Sequence, residues 1–383
     1  MHARSARRTL TGKPPVRVLH VLTENVRRGA ETSGLLLRDE LRDRGFDARA
    51  VALTDVDTGP WLDVPVLGPT RLGRRTLAPL RRLGSRADVV IAHGSSTLPA
   101  CAIALLGLPV PIVYVNIGDL MYWAAAGPRR WRTAALLRRA SVVAARSPRS
   151  ASTLASRFGV PPRKIAVVPN GRPAALFHPV GDDERLRLRE HLGCVPGERV
   201  VAWVGTLSHE KRPDLAVQAV ARVPGSTLLM AGDGPLRDDT ERLAAQLAPN
   251  RVRLLGMLQD PAPVYAAADV LLLTSDSEGL PGVLIEAALT GVPSVATDVG
   301  FVADVLQDGV TGVVVRPGSV ESIASGLQTA LASADRLGAQ AFSRAQAHFS
   351  MTAVGDRWER ILRDVVPRGR VLRHGQERLE HSR

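Results

Sequence analysis

The chain has 383 residues, of which 45% are hydrophobic and 4% aromatic, and its formal net charge is +13 at pH 7. This length suits two domains of about 150 to 200 residues each better than a single core. The composition is that of an ordinary globular protein. Neither a nucleic-acid motif nor an abundance of aromatic residues accompanies the charge, so nucleic acid is not an expected partner.

The N-terminal segment and the cysteines bear on where the protein resides. Residues 1–15, MHARSARRTLTGKPP, are basic but lack the apolar core of a secretory signal, which predicts a disordered leader. Cys101 and Cys194 match no metal-ligand or redox spacing and are expected to be reduced thiols in the core. A cytoplasmic protein is therefore predicted.

Strand-like apolar runs alternate with helical patterns twice along the chain. In the first half the predicted strands are residues 16–23, 48–54, 88–92, 112–115, 141–145 and 165–168. In the second half they are residues 200–205, 227–231, 252–255, 270–274, 294–296 and 313–315. Such alternation predicts an α/β protein with two doubly wound parallel sheets. Ligands of such domains bind beyond the carboxyl ends of the strands.

The uncharged stretch 89–118 lies inside the first of these domains. Pro99, Pro109 and Pro111 divide it into pieces too short to cross a bilayer. We therefore predict a buried strand, a buried helix and a second buried strand.

Positive charge is concentrated in the first half of the chain. Residues 1–181 contain 28 Lys and Arg against 11 Asp and Glu, and residues 120–181 contain eleven basic residues and no acid. Such a field attracts an anionic membrane surface, a phosphorylated acceptor or nucleic acid. Alternatively, the 47 arginines and 3 lysines of the chain reflect a bias that places arginine on solvated faces. An anionic membrane or acceptor is preferred over nucleic acid.

Turn-forming residues mark the boundary between the halves. Residues 169–180 read PNGRPAALFHPV, which places a first domain at 16–178 and a second at 179–346. Residues 347–366 are predicted to hold a terminal helix, and residues 367–383 a disordered basic tail.

The segment after the predicted strand at 270–274 is the most informative in the chain. It reads SDSEGLPGVLIEAALTGVP, with a helix expected to start near Pro281 and to end near Gly291. The unpaired N–H groups at the start of that helix suit a diphosphate. Glu278 precedes the helix and Glu286 lies within it, so one carboxylate can bind a sugar and the other a ribose.

This order of strand, acidic loop, helix and Gly-Val-Pro resembles the GT4 family of retaining glycosyltransferases, which have the GT-B fold. The resemblance extends over residues 16–361. It implies that the first domain binds the acceptor, that the second binds the nucleotide-sugar, and that the terminal helix crosses back to the first domain. Asn170 and Gly171 match the family's Asn-Gly-Val-Asp, whereas Pro173 replaces its acid.

The resemblance also implies a set of donor-binding residues. Lys211 is assigned to the diphosphate, in keeping with the fit of a compact ammonium to a phosphate oxygen. Thr206 stands where the family usually has an arginine, so either Arg212 supplies that charge or Thr206 makes a neutral hydrogen bond. The remaining implied donor-binding residues are Gly205, Gly232, Gly234, Gly256, Met257, Leu258, Gly279, Leu280, Pro281 and Glu286.

On the acceptor side, Gly29, Ala30 and Glu31 resemble the family's Gly-Gly-Ala-Glu, although Arg28 replaces its first glycine. His93 matches the family histidine that faces the donor sugar. Further acceptor contacts are expected from residues that follow the fourth strand, namely Asn116, Asp119, Tyr122 and Trp123.

Asp55 and Asp57 form an Asp-x-Asp pair, which holds a metal in the other glycosyltransferase fold. Here the pair follows the second predicted strand in a turn, so we assign it to solvent and expect no metal or other cofactor.

The predicted function is transfer of a hexose from a UDP- or GDP-linked sugar to a hydroxyl of a lipid-linked, glycan or small-molecule acceptor, with retention of configuration. The departing phosphate takes the acceptor's proton, so no pair of carboxyl groups about 5 Å apart is needed, unlike in a retaining glycosidase. Catalytic roles fall to His93, Lys211 and Glu278. The alternatives are a nucleotide-sugar or glycan-binding protein without turnover and a sugar-nucleotide epimerase.

Overall fold

Two parallel six-stranded sheets, each flanked by helices, form the structure. This computed structural model describes residues 14–26, 29–56, 59, 61–117, 120 and 127–366. It divides the chain into two compact units, one made of residues up to Val168 and from Gly355 onward, the other of Pro169–Val354. The two-sheet α/β architecture predicted from the sequence is confirmed.

The first unit contains a sheet with strand order β2-β1-β3-β4-β5-β6. Its strands are β1 (Arg17–Glu24), β2 (Asp47–Thr54), β3 (Val89–His93), β4 (Ile112–Val115), β5 (Val142–Ala145) and β6 (Ile165–Val167). Its helices are α1 (Gly29–Asp43), α2 (Arg74–Ser85), α3 (Thr97–Ala104), α4 (Gly127–Arg139) and α5 (Pro148–Phe158), with a short 3₁₀ turn at Pro162–Lys164.

The second unit contains a sheet with strand order β12-β11-β10-β7-β8-β9. Its strands are β7 (Arg199–Val204), β8 (Ser226–Ala231), β9 (Val252–Gly256), β10 (Val270–Leu273), β11 (Ser294–Thr297) and β12 (Gly312–Val315). Its first four helices are α6 (Asp182–His191), α7 (Pro213–Ala221), α8 (Arg237–Leu247) and α9 (Ala262–Ala267). They are followed by α10 (Gly282–Leu289), α11 (Val302–Val305), α12 (Val320–Ala332), α13 (Ala334–Phe349) and α14 (Met351–Val365), and α14 continues into the first unit.

All twelve predicted strands form, each within one residue of its predicted ends. The uncharged stretch 89–118 gives β3, α3 and β4, and Cys101 of α3 lies in the core of the first unit, where burial raises the pKa of its thiol to about 12. No helix in the described ranges is long and apolar enough to cross a membrane. The apolar runs of the strands lie in the hydrophobic cores of the two units, as expected for parallel strands that are covered on both faces.

The turn-rich segment 169–180 belongs to the second unit, whereas the sequence placed most of it in the first domain. The backbone N–H of Arg172 donates to the carbonyl of Phe349 at 3.0 Å, and the N–H of Met351 donates to the carbonyl of Arg172 at 2.9 Å. This pairing with residues far along the chain fixes the segment, and no local pattern reveals such a partner. The leader, residues 1–13, and the tail, residues 367–383, lie outside the described residues.

Strand order creates a crevice at the carboxyl edge of each sheet. In the second unit the chain proceeds from β7 outward to β9 and then returns to the other side of β7 with β10. In the first unit it passes from β2 back across β1 to β3. Loops that leave adjacent strands on opposite sides of such a switch point diverge, which leaves room for a ligand between them.

Candidate active site

Lys211 and Glu278 meet at the switch point of the second sheet. Lys211 follows β7 and Glu278 follows β10, and the Lys211 Nζ lies 2.8 Å from Glu278 Oε1. The Ser275 hydroxyl donates to the same carboxylate oxygen at 2.7 Å. The Lys211 side chain retains 26% exposure and that of Glu278 retains 11%, so both groups remain reachable from the crevice.

The two loops that carry this pair are bonded to each other. The backbone N–H of Asp276 donates to the carbonyl of Glu210 at 2.8 Å. The Thr274 hydroxyl lies 2.9 Å from the carbonyls of both Lys211 and Arg212, and it accepts from the Trp203 indole at 3.1 Å. Lys211 and Glu278 are therefore held in register before any ligand arrives.

Gly300 supports the loop of Glu278 from behind. Its φ is +52°, and a Cβ at this position would stand 1.8 Å from the main-chain oxygen of Glu278. Only glycine permits this approach, since a side chain would meet backbone that cannot move aside.

Glu286 lies one turn into α10, which begins at Gly282 directly after Pro281. Its Oε1 accepts from Arg172 Nε at 2.5 Å and its Oε2 accepts from the Tyr265 hydroxyl at 2.8 Å. The first-turn N–H groups of α10 face the same end of the sheet as the loops of Lys211 and Glu278, because α10 follows the loop after β10. The helix end, the ammonium and two carboxylates therefore occupy one edge of the second unit.

A cavity of about 190 Å³ opens beside this edge, at the carboxyl ends of β7, β8 and β9. Its walls include five residues predicted for the donor, namely Gly205, Thr206, Gly232, Met257 and Leu258, together with Asp233 of the Gly-Asp-Gly turn. Gly232 has a φ of +140°, and a Cβ there would lie 1.8 Å from the Gly205 carbonyl. The glycine thus brings two strand ends close enough to form the cavity wall.

Arg212 is paired with two acids. Its guanidinium lies 2.9 Å from Asp214 and 3.5 Å from Asp276, and the hydrogen bond to Asp214 raises the pKa of the arginine. Lys211, which also lies 3.4 Å from Glu210, is the cation in contact with Glu278. Thr206 is exposed at the cavity and carries no charge.

In the first unit, His93 ends β3 and stacks on His20 of β1. The rings are 5.3 Å apart between centroids, and His20 Nδ1 lies 3.1 Å from His93 Nε2. Both side chains are buried, and burial lowers the pKa of His20 to about 3, with Arg38 and Arg42 adding to the effect. Burial also lowers the pKa of His93 well below its ordinary value.

Four further acceptor-side predictions fall on described residues of this unit, Gly29, Ala30, Glu31 and Asn116. Gly29, Ala30 and Glu31 form the first turn of α1, the helix that comes next after β1, and Glu31 is buried. Asn116 is buried and donates to the Ser150 hydroxyl at 3.1 Å. The predictions that involve Arg28, Asp57, Asp119, Tyr122 and Trp123 lie outside the described residues.

Sequence reasoning missed several side chains that touch the predicted ones, among them His20, Arg172, Tyr265 and Ser275. Two carried a signal: His20 interrupts the apolar run of β1, and Arg172 follows the recognised Asn170-Gly171. No local sequence pattern marks Tyr265 as a partner of Glu286. The two residues are 21 positions apart, and α9 and α10 come into contact only in the folded unit.

No group of three or more His, Cys, Asp and Glu side chains is arranged to hold a metal ion within the ranges that the structure describes.

Two family models match the chain over separate ranges. The model described as Glycosyltransferase Family 4 matches residues 27–175, and that described as Glycosyl transferases group 1 matches residues 198–333, together about three quarters of the sequence. The chain belongs to the GT4, group 1 family of glycosyltransferases. Lys211, Glu278 and Glu286 of this GT4 chain all lie within the second matched range.

Curated relatives share part of the GT4 chain. A D-inositol 3-phosphate glycosyltransferase of Nocardia farcinica is 35% identical over 220 residues, which cover 53% of this chain and 47% of that protein. A 2-deoxystreptamine glucosyltransferase of Streptomyces kanamyceticus is 36% identical over 196 residues, covering 49% and 50% of the two chains. The chain spans about half the length of the curated relatives it matches.

Solved structures share the fold over nearly the whole GT4 chain. HepE of Anabaena, crystallised with UDP, superposes with a TM-score of 0.79 at 24% identity, covering 91% of this chain and all of that one. Sucrose-phosphate synthase of Thermosynechococcus elongatus gives a TM-score of 0.71 at 20% identity, covering 91% and 99%. Likeness to such glycosyltransferase structures identifies the fold as GT-B.

Proposed function

We propose that the protein transfers a hexose from a nucleoside diphosphate sugar to a hydroxyl acceptor, with retention of configuration at the anomeric carbon. The observation that carries the proposal is the Lys211–Glu278 pair, 2.8 Å apart, at the switch point beside the start of α10. A cation and a helix N-terminus suit the leaving diphosphate, and the adjacent carboxylate suits the hydroxyls of the sugar attached to it.

Stabilisation of the leaving group is the main task of this edge. Cleavage of the bond between the anomeric carbon and the phosphate oxygen places negative charge on the nucleoside diphosphate, and fixed donors lower the barrier. A charge-assisted bond from Lys211 contributes about 1.5–3 kcal/mol, and the N-terminus of α10 contributes up to about 2 kcal/mol.

Lys211 must leave Glu278 in part to meet a phosphate. Since Ser275 also donates to Glu278 Oε1, the carboxylate keeps one partner when the ammonium turns to the diphosphate. Glu278 then binds sugar hydroxyls, Glu286 the ribose, and the acceptor's proton passes to the departing phosphate. In this scheme neither a metal ion nor a carboxylate base is required.

Substitution of the two central residues tests the proposal. Glu278→Gln and Lys211→Ala should each lower transfer from the accepted UDP- or GDP-sugar by about ten- to a hundredfold, the scale of one lost charge-assisted hydrogen bond. Product analysis by NMR should give the same anomer as the donor. Two substitutions away from the site are matched controls. Glu321→Gln changes an exposed glutamate at the start of α12. Lys164→Ala removes a lysine that donates to the carbonyls of Arg138 and Ala140 at the end of α4. Unchanged transfer in both site variants, or an inverted product, would refute the assignment.

A nucleotide-sugar-binding protein without turnover is the second candidate. The pairing of Arg212 with two acids and the neutral Thr206 favour it, because the family's second cation is then missing from the diphosphate site. Bound nucleotide without product across a panel of acceptors would support this reading. Product without any acceptor would instead indicate an epimerase.

We also propose that the protein is cytoplasmic and contacts an anionic membrane surface through α4. α4 contains five basic residues, Arg129, Arg130, Arg132, Arg138 and Arg139, and no acid. Trp131 on α4 is 72% exposed, with the Arg130 guanidinium 5.9 Å from its ring centroid. Basic residues near anionic lipid contribute about 1 kcal/mol each, and tryptophan favours the interface.

Vesicle binding tests this membrane proposal. Vesicles that contain phosphatidylglycerol should sediment the protein, those of phosphatidylcholine should not, and Trp131→Ala should weaken binding severalfold. Equal binding to both lipids, or to neither, would contradict the proposal.

A further inference from the structure

The carboxylate of Glu286 is held from two sides by residues that the reaction scheme does not use. Arg172 Nε donates to Oε1 at 2.5 Å and the Tyr265 hydroxyl donates to Oε2 at 2.8 Å. We infer that Arg172 and Tyr265 are positioning residues, which orient Glu286 to receive the vicinal 2′- and 3′-hydroxyls of the donor's ribose. This inference rests on the proposed function. It names the residues through which the site would bind a nucleotide that has ribose more tightly than one that lacks the two hydroxyls.

Two acceptor positions remain on Glu286 when both partners are bound. A carboxylate offers about four lone-pair sites, and Arg172 and Tyr265 occupy one on each oxygen. The Glu286 side chain is 13% exposed, so the carboxylate is not sealed in the core. Two free sites on neighbouring oxygens of a fixed carboxylate match the two donors of a vicinal diol.

Arg172 is fixed through its backbone. Hydrogen bonds to Phe349 and from Met351 clamp its main chain, and Gly171 before it packs so closely on Met351 that a Cβ there would lie 2.6 Å from the sulfur. A second nitrogen of the guanidinium donates to the Gly171 carbonyl at 3.1 Å. The arginine therefore reaches Glu286 from a rigid base.

Gly282, the first residue of α10, leaves space for the guanidinium. A Cβ on Gly282 would stand 1.9 Å from Arg172 Nη2, so the planar group lies directly over the helix start. A cation near the positive end of a helix is unfavourable by itself. The position of Arg172 is thus explained by its bond to Glu286 and not by attraction to the helix.

Tyr265 is an equally well-defined donor. Its ring is fully buried on α9, with the Phe177 ring edge-on at 5.9 Å. Burial, reinforced by the charge of Glu286, raises the pKa of Tyr265 well above its ordinary value. The hydroxyl consequently stays protonated and donates at any pH suited to an assay.

Stability alone gives a poor account of this network. A largely buried ion pair loses hydration that its attraction only roughly offsets, so apolar residues of similar size would serve the core equally well. The network is explained if Arg172 and Tyr265 orient the Glu286 carboxylate for a ligand.

Ribose-dependent binding provides the test. Calorimetry would compare UDP and GDP with their 2′,3′-dideoxy forms, using wild type, Arg172→Met and Tyr265→Phe. For the nucleotide that wild type binds, each variant should raise the Kd of the ribose form about tenfold, the scale of one lost hydrogen bond to a charged group. The Kd of the dideoxy form should change less than about twofold, because that ligand makes no bond to Glu286.

A matched control separates positioning from general loss of structure. Arg185→Met removes an arginine that pairs with Asp269 at 2.8 Å in the same unit, at the opposite edge of the sheet, and should leave the ratio of the two Kd values unchanged. Tyr265→Phe, which deletes a single oxygen, keeps the test valid if Arg172→Met fails to fold.

Two outcomes overturn different claims. If both site variants keep the wild-type preference for ribose, or if Arg185→Met loses it to the same extent, the positioning roles are wrong while the proposed function stands. If wild type binds neither UDP nor GDP, the proposed function fails, and this inference fails with it.

Discussion

At the scale of single residues, burial governs the chemistry of the His20–His93 pair. Two stacked neutral rings share one hydrogen bond inside the first unit, and Arg38, Arg42 and Arg146 all add positive potential that disfavours a charged ring. His93 is thus poised as a neutral hydrogen-bonding group and cannot readily act as an acid. His20 determines which tautomer it adopts, because a proton on either ring requires a lone pair on the other.

The free energy of unfolding should depend on pH through these two histidines. Both histidines have a lower pKa in the folded protein than in the unfolded chain, so below about pH 6.5 the unfolded state binds more protons. The free energy of unfolding should fall by about 1.4 kcal/mol per pH unit for each histidine as the pH drops. Urea titrations at about pH 7 and pH 5.5 would measure it.

The variant His20→Leu should reduce the slope of unfolding free energy against pH by the contribution of one histidine, about 1.4 kcal/mol per pH unit. A slope identical to that of wild type would show that His20 is protonated in the folded protein as readily as in the unfolded one.

Residues with a recognisable local setting could be predicted, and their partners could not. Lys211 and Glu278 follow apolar strands and Glu286 lies within the helix after one of them, and the resemblance to a family singled them out from sequence as candidate site residues. Arg172 lies 114 positions from Glu286, and His20 lies 73 from His93. Such contacts depend on which strands pair, and the sequence does not specify that order directly.

At the scale of elements, the loop before α10 depends on close main-chain packing. The main-chain carbonyl of Glu278, in the loop before α10, packs directly against Gly300, whose backbone is left-handed. The strand ends were predicted within one residue because apolar runs mark them. The loop geometry could not be predicted, since it arises from contact between the segments after β10 and β11.

We predict that the Gly300→Ala variant still folds but transfers the sugar more slowly. The new methyl group would displace the backbone of Glu278 and should lower transfer by about tenfold or more, because small misplacements of a site are costly. The strain of a left-handed alanine adds about 1–3 kcal/mol of destabilisation.

Gly318→Ala provides the control for Gly300→Ala, in the same assays of transfer and thermal unfolding. Its φ is +72°, but a Cβ there meets nothing within 4 Å, so it brings the strain without the collision. Equal transfer rates in the two variants would show that backbone contact at Gly300 is unimportant.

At the scale of the whole molecule, the first unit is discontinuous in sequence. Residues from Gly355 in α14 belong with residues before Val168, and Arg44 of the segment after α1 binds Asp356 at 2.7 Å and Glu359 at 3.0 Å. Trp358 of the same helix is 1% exposed. The stability of the N-terminal sheet therefore depends on residues near the other end of the chain.

Trp358→Ala should destabilise the first unit by about 3–5 kcal/mol, the usual cost of removing a buried aromatic ring. Faster hydrogen exchange in β1 to β6, with β7 to β12 less affected, would locate the loss. The exposed Trp131→Ala is the matched control and should change stability by less than about 0.5 kcal/mol. Uniform exchange in both sheets of the Trp358 variant would contradict this expectation.

If the protein binds a nucleotide as proposed, the return of the chain across β7 to form β10 links nucleotide binding to folding. Lys211 and Glu278 are 67 positions apart and meet only when these two central strands pair, so a partly folded second unit has no intact ligand-binding edge. A nucleotide at a hundred times its Kd would add about 2.7 kcal/mol to the unfolding free energy of that unit. In a cell, the supply of donor would thereby help to set how long the protein survives proteolysis.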